Sequence, residues 1–216
     1  ASIELEEEAL ANIQGSGVDS EIEIKISSPT SIMKSRIIPN CVKIIQKFPN
    51  LLINFNSSDQ DDLHLKLRAA ETDFAIIQKD QLSKEMKYKN LNPEQYVLVC
   101  SSKWKDKKLS DIIKHERIID FEKSDQITIN YLKKYNLYNQ AKNKRYFANR
   151  TDNLALLVSE GIGYTTLPKE FAMPYIKNNK LMILNNNHIY NINPILAWYD
   201  RPEPPKYFSE IIKLIN

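Results

Sequence analysis

The stretch IEIKISSPTSIMKSRIIPNCVKIIQKFPNLLINF (22–55) determines which fold this 216-residue chain is expected to adopt. Its first five residues alternate apolar and polar side chains, which predicts a strand. The next segment places Ile37 and Ile44 on one face of a helix over 32–48. LLINFN (51–56) then predicts a second strand. A strand, a helix and a second strand in this order are typical of a parallel sheet with a crossover helix.

The same alternation of helices and strands continues along the chain. Further helices are predicted at 57–70, 109–115, 125–135 and 207–216, and one starts at Thr151 or Asp152. Further strands are predicted at 73–77, 94–102, 117–121, 144–148, 164–168 and 194–200. Because the pattern restarts after 94–102, we expect two α/β lobes. The late strand 194–200 implies that the chain crosses between the lobes more than once.

Glycine is rare in this chain, and two of its four glycines lie close together, at Gly161 and Gly163. Gly161 stands where a residue in the left-handed conformation ends a helix. Gly163 allows another group to approach the backbone closely as the next strand begins. The residues placed at this helix N-terminus and on the following strand are Asn149, Arg150, Thr151, Thr165 and Thr166. Free N–H groups and hydroxyls in such an arrangement suit an anion, such as a carboxylate.

The composition argues against several classes of function. Basic residues exceed acidic ones by 30 to 27, a net charge of +3, whereas duplex-binding domains usually have a marked basic excess. The lysines of KWKDKK (103–108) fit a solvated loop or helix start. Cys41 and Cys100 lie in apolar segments and are expected to be small buried hydrophobes, which fits a reducing, cytoplasmic compartment. No apolar run approaches membrane-spanning length.

Catalytic and metal-binding patterns are weak. The histidines at 64, 115 and 188 fall in separate segments, and none has a second ligand-type residue at metal spacing. The sequence contains no GxSxG, no phosphate loop and no GxGxxG. The pair Asp61-Asp62 fits the charged first turn of a helix. We therefore expect no catalytic residue, no metal and no cofactor.

Several segments together resemble the effector-binding domain of LysR-type transcriptional regulators. They are SSPTS after the first strand, Phe48-Pro49 before the second, ETDFAI (71–76) at the third, and VSEGIGYTTLP (158–168) near the second lobe. No one motif is specific, but their order and spacing match the family from about residue 21 to about residue 200. The chain departs from the family at Glu71-Thr72, where a glycine usually precedes the acidic residue.

The resemblance implies an α/β fold of two lobes with Rossmann-like mixed sheets, similar to type 2 periplasmic binding proteins, with a ligand cleft between the lobes. Residues 18–100 and 190–216 would form lobe I, and residues 101–189 would form lobe II. Residues 1–17 would be the end of a linker helix and a flexible link. A winged helix-turn-helix domain would precede this chain, and DNA would be bound only through that domain.

In the family, a small effector lies in the cleft, held by loops that follow strands and by helix N-termini. The resemblance assigns to this cleft Ser28, Thr30, Ser31, Asn56, Ser57 and Gln78 from lobe I, and Asp125, Asn149, Thr151 and Thr165 from lobe II. SSPTS and Asn56-Ser57 fit plain helix caps equally well. Arg150 would either pair with an effector carboxylate or lie on the surface. If Asp125 faces the cleft, an ammonium group is expected on the ligand, and an amino acid would satisfy both ends.

Two classes of function stay open. A ligand-sensing domain of a bacterial regulator would bind a small metabolite and shift the geometry of a dimer or tetramer. The apolar face of the helix at 32–48, with Ile37, Ile44 and Ile45, would then contact the second lobe of a partner copy or belong to the core. A transport-type solute-binding protein would have the same two-lobe fold. The helical pattern at 2–13 and the unpaired cysteines favour the regulator, and no acid–base pair supports an enzyme.

Overall fold

The structure is a computed structural model that describes residues 20–216. The linker-helix end expected at 1–17 lies outside the described residues.

Within residues 20–216 the structure is a mixture of strands and helices. The strands are β1 Ile22–Ser28, β2 Leu51–Ser57, β3 Phe74–Ile77, β4 Met86–Asn90, β5 Glu94–Ser101, β6 Ile119–Asp120, β7 Tyr146–Phe147, β8 Thr165–Pro168, β9 Leu181–Ile183, β10 Ile189–Ile192 and β11 Ile195–Tyr199. Helix α1 is one continuous run of α-helical Thr30–Ile32, a π-helical turn Met33–Ile37 and α-helical Ile38–Lys47. The other α-helices are α2 Leu63–Arg68, α3 Leu109–His115, α4 Ile127–Lys134, α5 Thr151–Ser159, α6 Lys169–Lys177 and α7 Phe208–Leu214.

Two main sheets form the cores of the two lobes. In the first sheet the strand order is β2-β1-β3-β11-β4, and β1 is parallel to both β2 and β3, whereas β11 is antiparallel to β3 and β4. In the second sheet β5 pairs antiparallel with β8, β9 and β10. Strands β6 and β7 form a short parallel pair beside it. The first sheet is therefore mixed, as expected, whereas the strand pairs described in the second sheet are all antiparallel.

The chain passes between the sheets through two short segments. Residues 91–93 connect β4 to β5, and residues 193–194 connect β10 to β11. The sequence interpretation placed the strand at 94–100 in lobe I, but β5 pairs only with strands of the second sheet among the described residues. Strand β10, which the boundary at 189/190 divides, also pairs in that sheet. The boundary between the lobes depends on which strands pair with each other. The hydrophobic periodicity of a sequence does not indicate strand pairing.

Helix α1 packs its apolar face into the first lobe. Ile37 and Ile44 are 0% and 4% exposed and belong to the same core as Ile24 and Ile26 of β1. They are therefore core residues and not the exposed apolar surface considered for a dimer. Full burial of such a side chain contributes about 1.5–3 kcal/mol, which explains why the helix is held on the sheet.

Both glycines of the 148–168 stretch are required by the backbone. Gly161 has φ +78°, which is the left-handed helix end that the sequence predicted. At Gly163 a Cβ would lie 2.3 Å from the carbonyl oxygen of Arg117 and 2.8 Å from Cγ1 of Ile119. The close approach is therefore made by the strand segment that runs beside it.

Among residues 20–216, no helix combines the length and the apolar character that crossing a bilayer would require.

Candidate functional site

The N-termini of α1 and α5 approach each other in the cleft between the lobes. Thr30 is the first residue of α1, in lobe I, and Thr151 is the first residue of α5, in lobe II. Both side chains are buried, at 7% and 3% exposure. At neither helix does the side chain of the N-cap residue accept a hydrogen bond from the first turn, so the free N–H groups need another acceptor.

Asp59 supplies that acceptor for both helices. The main-chain N–H of Thr30 donates to Asp59 Oδ1 at 2.8 Å, and the Thr30 hydroxyl donates to Oδ2 at 2.9 Å. The N–H and the hydroxyl of Thr151 donate to the same Oδ2 at 2.9 Å and 3.3 Å. One carboxylate thus bridges the two lobes. Helix N-termini favour negative charge because their N–H groups and dipoles point toward it.

A buried carboxyl group lies next to this position. Ser31 donates from its hydroxyl to Glu94 Oε2 at 2.9 Å, and Glu94 is 4% exposed at the start of β5. Burial raises the pKa of Glu94 to about 7, although the Ser31 hydrogen bond and the charge of Arg36 oppose the rise. Glu170 and Asp59 act in the same direction as burial. The group therefore titrates near neutral pH.

Arg36 joins the two lobes on the hinge side of the cleft. Its Nε donates to Glu170 Oε1 of lobe II at 2.8 Å. Its Nη1 and Nη2 donate to the carbonyl oxygens of Asn92 and Pro93, at 2.6 Å and 3.1 Å, in the segment that connects the sheets. Nη1 also reaches the carbonyl of Asn216 at 3.2 Å. Arg36 lies in the π-helical turn of α1, a geometry that is often found at functional positions.

The second lobe contributes a polar wall of three threonines. The Thr128 hydroxyl lies 2.8 Å from that of Thr166 and 3.5 Å from that of Thr165. The main-chain N–H of Thr166 donates to Thr128 Oγ1 at 3.2 Å. These residues line a narrow cavity together with Tyr96, Phe121, Asp125, Ile127, Thr151, Leu154, Leu167 and Pro168.

Asp125 lies at this cavity, but its own loop uses both of its oxygens. Oδ1 accepts from the N–H of Ile127 at 3.1 Å, and Oδ2 accepts from the N–H of Phe121 at 3.2 Å. The side chain is half-buried. The ammonium contact expected of Asp125 stays a prediction.

The structure brings together part of the predicted site. Thr30 and Thr151 meet at Asp59, and Thr151, Thr165 and Asp125 line one cavity. Ser28 is buried and donates from its hydroxyl to the carbonyl of Pro29 at 2.9 Å.

The remaining predicted residues lie on the surface. Asn56, Ser57 and Asn149 are exposed, and Gln78 is exposed and caps the 3₁₀ turn Lys79–Gln81. Arg150 forms an exposed ion pair with Asp152, with contacts of 3.1 Å and 2.9 Å. This matches the surface alternative for Arg150. The role of these residues in effector binding stays a prediction.

Sequence reasoning missed Asp59, Glu94, Arg36 and Thr128. Asp59 belongs to SSDQDD, which we interpreted only as the cap of a helix. Its partners are 29 and 92 residues away in the chain, so no local pattern indicates them. The available signal was its place, directly after a strand of a parallel pair, at the edge of the sheet where ligands of such folds bind.

The family model of the LysR substrate binding domain matches residues 19–213. The chain therefore belongs to this family, which provides the regulatory, ligand-binding domains of bacterial LysR-type transcription regulators. The family assignment confirms the resemblance that the sequence showed. A search of the curated proteins found no match.

Solved structures of LysR-family proteins have the same fold. ArgP from Mycobacterium tuberculosis is 14% identical with a TM-score of 0.74, and the match covers 97% of this chain and 71% of that one. A variant OxyR2 regulatory domain from Vibrio vulnificus is 19% identical with a TM-score of 0.71, covering 92% and 95%. The C-terminal domains of a LysR family protein from Agrobacterium tumefaciens are 14% identical with a TM-score of 0.69, covering 83% and 88%. These likenesses confirm the expected two-lobe, periplasmic-binding-protein-like fold.

Proposed function

We propose that this chain is a cytoplasmic sensor that binds a small carboxylate, such as an amino acid, in the interlobe cleft. Binding would change the geometry of a dimer or tetramer and so control transcription through a DNA-binding domain of the full-length protein. An effector acts in this way when its affinity differs between two quaternary states.

The observation that supports this proposal is the convergence of two helix N-termini on one carboxylate. Thr30 and Thr151 come from different lobes, and each donates a main-chain N–H and a hydroxyl to Asp59. The cleft therefore offers a set of donors that is suited to a carboxylate and is sensitive to the distance between the lobes. A ligand that engages donors from both lobes is expected to change their relative position.

Sensing by a bound molecule is favoured over sensing by a thiol. Cys41 and Cys100, the chain's two cysteines, are both 0% exposed. Burial raises the pKa of Cys41 to about 11 and that of Cys100 to about 12. Since the thiolate is the reactive form, neither group is suited to react with an oxidant in the folded protein.

Self-association is supported by apolar side chains on one side of lobe I. Ile38 and Val42, on the outer face of α1, are 38% and 41% exposed. We infer that this surface meets the second lobe of another copy in an antiparallel dimer. Burial of such side chains favours association by about 25 cal/mol per Å² of apolar area removed from water.

The test is the mass of the chain in solution over a concentration series, with and without fractions of a cellular metabolite pool. We expect a dimer or tetramer whose distribution moves with one fraction, and calorimetry with a panel of amino acids then tests the ligand class. Val42→Glu should weaken the oligomer, whereas Lys43→Glu, an exposed neighbour, serves as the control. A strict monomer that binds a solute tightly would instead indicate a transport-type binding protein.

A further inference from the structure

We propose that Asp59 is an internal latch: its carboxylate occupies the anion position of the cleft and holds the two lobes together when no effector is bound. The part of this proposal that concerns effector entry rests on the proposed function. The latch itself concerns only the described chain.

The hydrogen bonds of Asp59 are divided between the lobes. Oδ1 accepts from the Thr30 N–H, and Oδ2 accepts from the Thr30 hydroxyl and from both donors of Thr151. A carboxylate offers about two lone-pair positions on each oxygen, so Oδ2 is fully used by its three donors, whereas Oδ1 accepts only from the Thr30 N–H. All four hydrogen bonds to Asp59 are made only while α1 and α5 stay close together.

The loop that carries Asp59 is anchored to lobe I. The N–H of Ser58 donates to the carbonyl of Ser28 at 3.0 Å, and the Ser58 hydroxyl lies 3.4 Å from Asp62 Oδ1. The main chain at Asp59 is therefore part of lobe I, whereas its side chain forms hydrogen bonds with both lobes. A small rotation of lobe II would break the Thr151 contacts while leaving those to Thr30 in place.

An entering carboxylate would need the same donors. Two carboxylates at one set of N–H groups repel each other, so effector binding has to be an exchange in which Asp59 leaves. An alternative hypothesis is that Asp59 contacts the ammonium group of an amino acid. In the closed arrangement seen here three of the four donors occupy Oδ2, which leaves an ammonium group only one acceptor position, on Oδ1. An effector must therefore bind the donors strongly enough to displace the Asp59 carboxylate.

The Arg36–Glu170 pair allows the latch to be removed without separating the lobes altogether. It lies next to the connecting segment 92–93 and shares no hydrogen-bond partner with Thr30 or Thr151. We therefore expect an Asp59 variant to keep its fold and its hinge.

The experiment uses acetate as the probe, because acetate has the size of the side chain that Asp59→Ala removes. Thermal unfolding is followed as acetate is increased at constant ionic strength, for wild type, Asp59→Ala and the control Asp80→Ala. Asp80 is exposed on the same lobe. We expect acetate to stabilise Asp59→Ala at concentrations at least tenfold lower than those that affect the wild type or the control. Equal acetate responses in all three proteins would overturn the latch.

A second variant covers the case in which Asp59→Ala does not fold. Asp59→Asn keeps the volume but replaces one acceptor by a donor. We expect the amide protons of Thr30 and Thr151 to exchange with solvent at least tenfold faster in it than in wild type, as measured by nuclear magnetic resonance. Unchanged exchange would refute the latch.

Neither measurement needs the natural effector. One outcome is that acetate stabilises Asp59→Ala but no metabolite shifts the distribution of oligomers. That outcome would support the latch and contradict the proposed function. The other outcome is that a metabolite shifts the distribution of oligomers but acetate does not stabilise Asp59→Ala. That outcome would support the proposed function and contradict the latch.

Discussion

Replacement of Glu94 by glutamine should make the protein more stable, and the gain should depend on pH. The carboxyl of Glu94 is 4% exposed, and burial raises its pKa from an ordinary value of 4.5 to about 7. The charged groups that face it are Arg36, which opposes the rise, and Glu170 and Asp59, which add to it. Glutamine keeps an oxygen that accepts from Ser31 and carries no charge to bury.

The folded protein holds this proton more tightly than the unfolded chain does. Stability is therefore lost as pH rises from 4.5 through about 7, and the whole cost is present above that range. At about 1.4 kcal/mol per pKa unit, the charged carboxylate costs on the order of 3 kcal/mol at pH 8 and less than about 1 kcal/mol at pH 5. Glu94→Gln should recover most of this difference.

Urea unfolding of wild type and Glu94→Gln at pH 5 and pH 8, at one protein concentration, measures the effect. A fixed concentration matters because association alters apparent stability. Glu85→Gln, on an exposed position, is the control for loss of a negative charge. If Glu94→Gln changes the free energy of unfolding equally at both pH values, the carboxyl is not held protonated by burial and the reasoning is wrong.

Two further predictions concern the backbone and the thiols. Gly163→Ala should destabilise the protein by about 2 kcal/mol or more in thermal unfolding, because its Cβ would lie 2.3 Å from the Arg117 carbonyl oxygen. Gly161→Ala should cost about 1 kcal/mol, since its left-handed conformation is strained and its Cβ would lie 3.3 Å from Nε1 of Trp104, a milder contact than the one at Gly163; a larger loss at Gly161 than at Gly163 would contradict this order. Cys41 and Cys100 should react with Ellman's reagent only after unfolding, and rapid reaction of either thiol in the native protein would show that it is not buried.

Much of the fold was predictable because local patterns and packing agree. The strand–helix–strand order of 22–55 and the glycine at 161 follow from periodicity and from backbone conformation, which act over a few residues. Helix α6 and strands β4, β9 and β10 were not predicted. Helix α6 contains Pro174, and β9 and β10 are strands of three and four residues separated by an asparagine-rich turn, so each local signal is weak.

The site was less predictable than the fold, for a physical reason. Thr30 and Thr151 could be named because helix N-termini attract anions. Their acceptor could not, because Asp59 meets them only after both lobes have folded. The pairing of Ser31 with Glu94 is likewise a contact across 63 residues. Long-range polar contacts leave no periodic trace in a sequence, so they emerge only from the three-dimensional arrangement.

The two connecting segments limit how the lobes can move. They are three and two residues long, and the N–H of Leu91 in one donates to the carbonyl of Pro194 in the other at 3.1 Å. Arg36 fixes two further carbonyls of the first segment. We expect connections this short and this constrained to favour rotation about a hinge over sliding or separation of the lobes. Effectors of different size are therefore expected to leave the lobes at different angles about the same hinge.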